Sequence, residues 1–80
     1  MFYAYVLKSI FKDYLYKGHC ENLEKWILEH NSGMTTSIKP YIPFELKYFE
    51  EFKLRIEAIK REKYFKTSAG HRFLKNKIIL

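Results

Sequence analysis

An apolar run near the N-terminus constrains the fold of this chain more than any other segment. Residues 2–9 are almost all apolar or aromatic, and the polar pair Lys12-Asp13 follows them. A short apolar run bounded by a turn predicts a β-strand, and residues 14–18 are then predicted to return beside it as a hairpin. Alternation along the two strands can bring four tyrosines close together, either for function or as ordinary cross-strand packing: Tyr3, Tyr5, Tyr14 and Tyr16.

The rest of the chain continues the alternation of helical and extended patterns. The predicted elements are strands at 2–9 and 14–18, a helix at 23–30, a loop at 34–43, a strand at 44–52 and helices at 54–66 and 69–77. Asn22 and Ser68 are predicted N-caps, and Gly33 is expected to end the first helix in a left-handed turn. In the third strand, one face is predicted to carry Phe44, Leu46 and Tyr48.

This β-β-α-β-α-α order predicts an α+β fold, in which helices pack on a three-stranded, mostly antiparallel sheet. The 80 residues are expected to form one domain, 1–80. The net charge is +6, and residues 41–80 carry ten Lys and Arg against five acids. Such a basic half with interleaved aromatic residues favours a polyanionic partner, although a solvated lysine-rich face would look the same.

Cysteine and hydropathy indicate the expected compartment. Cys20 is the only cysteine, so an intramolecular disulfide is excluded and a reducing environment is favoured. The three histidines lack the paired spacing of a zinc site. No apolar stretch approaches the roughly 20 residues of a membrane span, and no signal peptide is apparent. We therefore expect a cytoplasmic protein without a membrane segment.

Glu62 is the charged residue that the helical pattern explains least. It follows Ala58 by four residues and Ile59 by three, which places it on the apolar stripe that continues to Phe65. A carboxylate that faces a core costs several kcal/mol unless a cation or donors satisfy it. Glu62 therefore pairs with a buried group, holds a metal, or reaches water at the edge of the stripe, and spacing alone favours the last because buried Glu is rare.

Several short motifs also occur in a particular order. They are Tyr3-Ala4-Tyr5, Tyr16-Lys17-Gly18, Asn22-Leu23-Glu24-Lys25, Glu29-His30-Asn31-Ser32-Gly33, Glu50-Glu51-Phe52 and Ala58-Ile59-Lys60-Arg61-Glu62-Lys63-Tyr64. The ordered set resembles the GIY-YIG endonuclease superfamily, in particular its small single-domain members, over roughly residues 2–75. The first two motifs stand where Gly-Ile-Tyr and Tyr-Ile-Gly would be.

The resemblance implies a three-stranded antiparallel sheet flanked by helices and a metal-dependent DNA endonuclease, acting in DNA repair or recombination. It makes Glu62 the ligand of one Mg²⁺ (or Mn²⁺). Tyr5 would be the general base or would orient the attacking water, with Tyr16 and His30 as alternates or hydrogen-bond partners. The basic residues expected to contact DNA are Lys8, Lys17, Lys39, Arg61 and Arg72.

Two positions depart from the family pattern. Tyr3 replaces the first glycine, and Trp26 stands where the family places a catalytic arginine. An indole carries no charge and cannot donate bidentate bonds to a phosphate, so we expect a slow or inactive enzyme. Three hypotheses stay open: a weakened DNA endonuclease, a non-catalytic nucleic-acid-binding module on the same fold, and an active nuclease in which Trp26 is an accidental or engineered change. A protein partner or a homo-oligomer also stays open.

Overall fold

The computed structural model describes residues 1–32 and 36–78, without the side chains of His30 and residues 36–38. Its elements are β1 (Phe2–Ser9), β2 (Leu15–Cys20), α1 (Leu23–Asn31), a 3₁₀ helix (Thr36–Tyr41), β3 (Phe44–Phe52), α2 (Arg55–Phe65) and α3 (Ser68–Lys77). This order confirms the predicted α+β fold. The segment predicted as a loop contains the 3₁₀ helix, which is too short to show a hydrophobic period. Gly33 lies outside the described residues.

The sheet has the order β2-β1-β3, and both pairs of strands are antiparallel. A bulge interrupts the pairing of β1 with β3, because Val6 lies opposite Tyr48 whereas Leu7 lies opposite Leu46. Lys47 is therefore the additional residue, and side chains before and after it point to opposite faces. The prediction that Tyr48 shares a face with Leu46 is wrong for this reason.

Helices cover both faces of the sheet and produce two hydrophobic clusters. On one face, Ala4 and Val6 pack with residues of α2 and α3, including Phe65 and Leu74. On the other face, buried Tyr5, Leu7, Cys20 and Phe44 pack with Leu23 and Ile27 of α1. Tyr3, Tyr14 and Tyr16 border the second cluster, which confirms that the hairpin gathers four tyrosines on one face.

Side-chain caps fix the ends of the helices that surround the site. Asn22 Oδ1 accepts a hydrogen bond from Lys25 N at 3.1 Å, as the sequence predicted. Thr67, rather than Ser68, caps α3 by accepting from Gly70 N at 3.0 Å. At the end of α1, the Asn31 side chain donates to Phe44 O and accepts from Phe44 N, which holds α1 against the start of β3.

Among the helices of the described residues, none combines the length and the apolar character needed to cross a bilayer.

Candidate active site

Glu62 projects from α2 toward the edge strand β2. Its Oε1 lies 2.6 Å from His19 Nδ1, and its Oε2 accepts a hydrogen bond from Lys66 Nζ at 2.8 Å. The side chain is 17% exposed. Both carboxylate oxygens therefore have hydrogen-bond partners, which explains how an acidic group is accommodated on the apolar stripe.

A cavity of about 320 Å³ lies at this edge of the sheet. Four of the predicted catalytic residues line it together: Tyr5, Tyr16, Trp26 and Glu62. His19 and Lys17 complete the wall on the side of β2. Glu62 is the only acid among the described residues that line this cavity, so it supplies the cavity's only carboxylate.

The two motif tyrosines are held as neutral phenols. Tyr5 is only 2% exposed, and its ring stacks on that of Tyr16 with centroids 6.3 Å apart. Burial, reinforced by Tyr16, raises the pKa of Tyr5 far above its usual value. Burial and the nearby Glu62 carboxylate also raise the pKa of Tyr16. Both side chains therefore suit hydrogen bonding better than proton abstraction at neutral pH.

Gly18 allows the Tyr5 phenol to approach the backbone of β2. The two residues are paired in the sheet register. A Cβ at position 18 would lie 2.6 Å from Tyr5 Oη and 3.1 Å from Tyr16 Cε1, closer than side chains pack. The third residue of the second motif therefore has a steric role, which is to leave room for both phenol rings.

The ionisation of Glu62 reflects two opposing influences. Burial by itself raises its pKa, but the hydrogen bonds from Lys66 and His19 outweigh burial and hold the pKa below its usual value. An ionised carboxylate beside phenol oxygens fits a hard divalent cation, which prefers oxygen ligands and retains several waters. Lys66 Nζ, on a flexible and exposed side chain, would have to leave Oε2.

No three His, Cys, Asp or Glu side chains converge in the described part of the chain, at Glu62 or elsewhere. A cation at Glu62 would thus depend on one protein carboxylate and water. Mg²⁺ tolerates such a sparse protein contribution.

The GIY-YIG catalytic domain model matches residues 1–76 of the chain. The chain belongs to the GIY-YIG family. It is 39% identical over 75 residues to a UPF0213 protein of Staphylococcus saprophyticus, covering 91% of this chain and 89% of that protein. A UPF0213 protein of Clostridium perfringens is 44% identical over 68 residues, covering 82% of this chain and 71% of the relative. No solved structure matches the chain significantly.

Family membership gives the chain a nuclease-type function with DNA as the implied substrate, since GIY-YIG nucleases act on DNA and are generally metal-dependent. Trp26 lies on α1, is 38% exposed and borders the cavity; its assignment to the family's arginine position stays a prediction from the motif resemblance. His30 lies at the end of α1, and its side chain is outside the described part of the structure.

The structure brings only some of the predicted DNA-contacting residues to the site. Lys17 lines the cavity, and Arg72 lines a groove beside it. Lys8 Nζ instead donates to Ser9 O and Lys12 O in the hairpin turn. Lys39 is exposed on the 3₁₀ helix, and Arg61 binds Glu50. Neither of these two residues lines the cavity.

The groove beside the cavity has a volume of about 380 Å³. We call it the basic groove, because four of its wall residues are Lys17, Lys66, His71 and Arg72. Among the described residues that line it there is no acid. Lys17 and Lys66 border both the groove and the cavity, so the two spaces are contiguous.

Two residues of this GIY-YIG site were missed by the sequence analysis. Lys66 follows Glu62 by four residues, and that helical spacing is a recognised signal for an ion pair. His19 follows the second motif directly, but its contact with Glu62 spans 43 positions of the chain. No local pattern announces a pair so distant in sequence.

Proposed function

We propose that this chain is a metal-dependent DNA endonuclease whose turnover is slow because Trp26 replaces the arginine. The supporting observation is the cavity in which one ionised carboxylate, Glu62, lies beside the neutral phenols of Tyr5 and Tyr16. Glu62 would hold Mg²⁺ or Mn²⁺ together with water. When bound, such an ion supplies Lewis-acid activation of the phosphate and the leaving oxygen.

The protein's own groups would act through position and hydrogen bonding. His19 Nδ1, 2.6 Å from Glu62 Oε1, fixes the orientation of the carboxylate. Tyr5 is buried against Gly18 and stays protonated, so it would orient the attacking water instead of removing its proton. Tyr16 also lines the cavity, is less buried than Tyr5 and would donate to a phosphate oxygen.

The basic groove provides a path for the phosphates that flank the cleaved bond. Its cationic wall is continuous with the cavity through Lys17 and Lys66. Each phosphate neutralised by Lys or Arg releases condensed counterions, so binding should weaken steeply with salt. Of the DNA-contacting residues implied by the sequence, Lys17 and Arg72 lie on this path. Lys66 and His71 are additional contacts that the sequence did not indicate.

Trp26→Arg is the variant that tests the catalytic proposal. A charged donor to the transition state is commonly worth about 10²–10³ in rate, so Trp26→Arg should cleave supercoiled or branched DNA about 10²-fold faster than the natural chain with Mg²⁺ or Mn²⁺. Glu62→Gln in either background should abolish cleavage. Glu45→Gln, an exposed carboxylate on β3, is the matched control and should change nothing.

A non-catalytic DNA-binding module is the competing function, and it is favoured by Trp26 and by the Lys66 contact on Glu62. It predicts salt-dependent binding without cleavage by the natural chain or by Trp26→Arg. It also predicts that Glu62→Ala leaves DNA affinity nearly unchanged. Intact binding with no cleavage by either protein would therefore reject the endonuclease proposal in favour of this one.

A further inference from the structure

A second and larger groove of about 920 Å³ adjoins the cavity on the side of α1. We call it the aromatic groove, and we define it by its three rings and three acids: Tyr3, Trp26, Phe49, Glu21, Glu24 and Glu51. It shares Trp26 and His19 with the cavity. A molecule that occupies the cavity could therefore extend directly into it.

Two rings of the aromatic groove, those of Trp26 and Phe49, are accessible to solvent. Trp26 is 38% exposed, and Phe49 is 43% exposed on the face of β3. Tyr3 supports Phe49 edge-to-face, with ring centroids 5.9 Å apart and planes at 64°. Two large rings accessible in one concave site match the requirement for stacking a nucleobase.

The charges of the aromatic groove oppose a phosphate backbone. Glu21, Glu24 and Glu51 outnumber its two cations, Lys25 and Arg55. Arg55 Nη2 is also 3.7 Å from Glu21 Oε2, which partly neutralises that guanidinium. Carboxylates repel phosphates, but they accept hydrogen bonds from the amino groups of bases. The basic groove, with no acid among its described wall residues, has the opposite preference.

We propose that the aromatic groove is a nucleobase site. An unpaired DNA base beside the cleaved phosphate stacks on Trp26, while the sugar-phosphate backbone leaves along the basic groove. This inference rests on the proposed function for its ligand, DNA. It predicts a preference for single-stranded, frayed or branched DNA over intact duplex, because a duplex base must first leave its stack.

Trp26 is the only tryptophan of the chain, so its intrinsic fluorescence reports on the place where this groove meets the cavity. The full chain is titrated, without divalent metal, with single-stranded DNA and with an abasic oligomer of equal length and charge. The normal strand should quench Trp26 and bind about tenfold or more tightly than the abasic strand, as expected from the usual strength of base stacking. Equal affinities without quenching would overturn the nucleobase site.

Matched variants test whether the preference for base-containing DNA arises in the aromatic groove. Phe49→Ala keeps the reporter and should reduce the preference for the base-containing strand severalfold. Phe11→Ala removes a phenyl that is 79% exposed in the hairpin turn and outside the groove, so it should leave the preference unchanged. With binding followed by anisotropy of labelled DNA, Trp26→Phe should retain the preference and Trp26→Ala should lose it. Equal losses in the Phe11 and Phe49 variants would contradict the assignment.

The two proposals fail differently. If the base preference is present but neither the natural chain nor Trp26→Arg cleaves DNA, the nucleobase site stands and the endonuclease proposal fails. If Trp26→Arg cleaves DNA and the natural chain shows no base preference, the nucleobase site is rejected and the endonuclease proposal stands.

Discussion

Neighbouring residues of α2 pair with side chains on the two opposite edge strands of the sheet, and the two pairs have different surroundings. Arg61 Nε lies 2.8 Å from Glu50 Oε1 on β3, and Arg61 Nη2 lies 3.2 Å from Glu50 Oε2. Glu62 Oε1 lies 2.6 Å from His19 Nδ1 on β2. All four side chains are partly buried, so neither burial nor distance separates the pairs.

Aromatic residues pack around the Arg61 guanidinium. The guanidinium lies 4.7 Å from the ring centroids of Tyr64 and Phe73 and 5.3 Å from that of Phe65. The Tyr48 hydroxyl also donates to Glu50, which completes a closed network. The Glu62 pair instead borders the cavity beside the basic groove. The space around a partly buried charged side chain and its partner thus indicates whether the pair stabilises the fold or serves chemistry.

The largest expected effect is on the side of the Arg61 pair, at Gly70. A Cβ there would lie 1.8 Å from Tyr64 O, so α3 could not keep its close approach to α2. Gly70→Ala should lower the free energy of unfolding by about 3 kcal/mol, because overpacking against backbone cannot relax easily. Urea denaturation measures this. Asn76→Ala, at an exposed position of α3, is the control and should stay within about 0.5 kcal/mol of the parent.

Arg61→Met should have the next largest effect. It removes the charged partner of Glu50 and should lower the free energy of unfolding by about 2 kcal/mol, in the range of hydrogen bonds to charged groups. Cleavage per folded molecule in a Trp26→Arg background should not change. If Arg61→Met weakened DNA binding without loss of stability, Arg61 would instead belong to the DNA surface, as the sequence implied.

Gly18→Ala tests the cavity side with a smaller change in stability. The new methyl would displace the Tyr5 phenol. Because this is a side chain that can move, unlike the backbone that Gly70 contacts, we expect the free energy of unfolding to fall by only about 1 kcal/mol. Cleavage by Trp26→Arg should nevertheless fall at least about tenfold, because misplaced catalytic groups are costly. Full activity in the double variant would show that the position of Tyr5 does not matter for the reaction.

The smallest effect concerns pH. Because the folded pKa of Glu62 is below its usual value of 4.5, its ionised form stabilises the fold above that pH. This contribution is lost as the pH falls through the lower, folded value. The stability advantage of the natural chain over Glu62→Gln should therefore be below about 1 kcal/mol at neutral pH and should vanish in acid. An advantage that grows on acidification would contradict the pairing.

The fold could be predicted because its helices and strands leave local patterns in the sequence. The apolar run of β1 and the helical spacing around Ala58 and Phe65 are properties of adjacent residues, so all three strands and three helices were found. The bulge at Lys47 was not predicted, because it depends on how β3 pairs with β1. The bulge places Tyr48 on the opposite face from the predicted one.

The candidate site was only partly predictable. The motif resemblance named Tyr5, Tyr16, Trp26 and Glu62, and the structure brings these four to one cavity. It could not indicate that Arg61 pairs with Glu50 on β3 while its neighbour Glu62 meets His19 on β2. Partner choice depends on which edge strand each helical side chain reaches, and that requires the assembled sheet.

The central claim is that the Glu62 carboxylate holds a divalent cation at the tyrosine-lined cavity. A crystal structure of the chain soaked with Mn²⁺ tests this most directly, with Glu62→Gln crystals as the control. The account predicts anomalous density bonded to the Glu62 carboxylate, with Lys66 displaced, and no density in the variant. Mn²⁺ bound elsewhere, or a Glu62 side chain directed into bulk solvent away from Tyr5 and Tyr16, would contradict it.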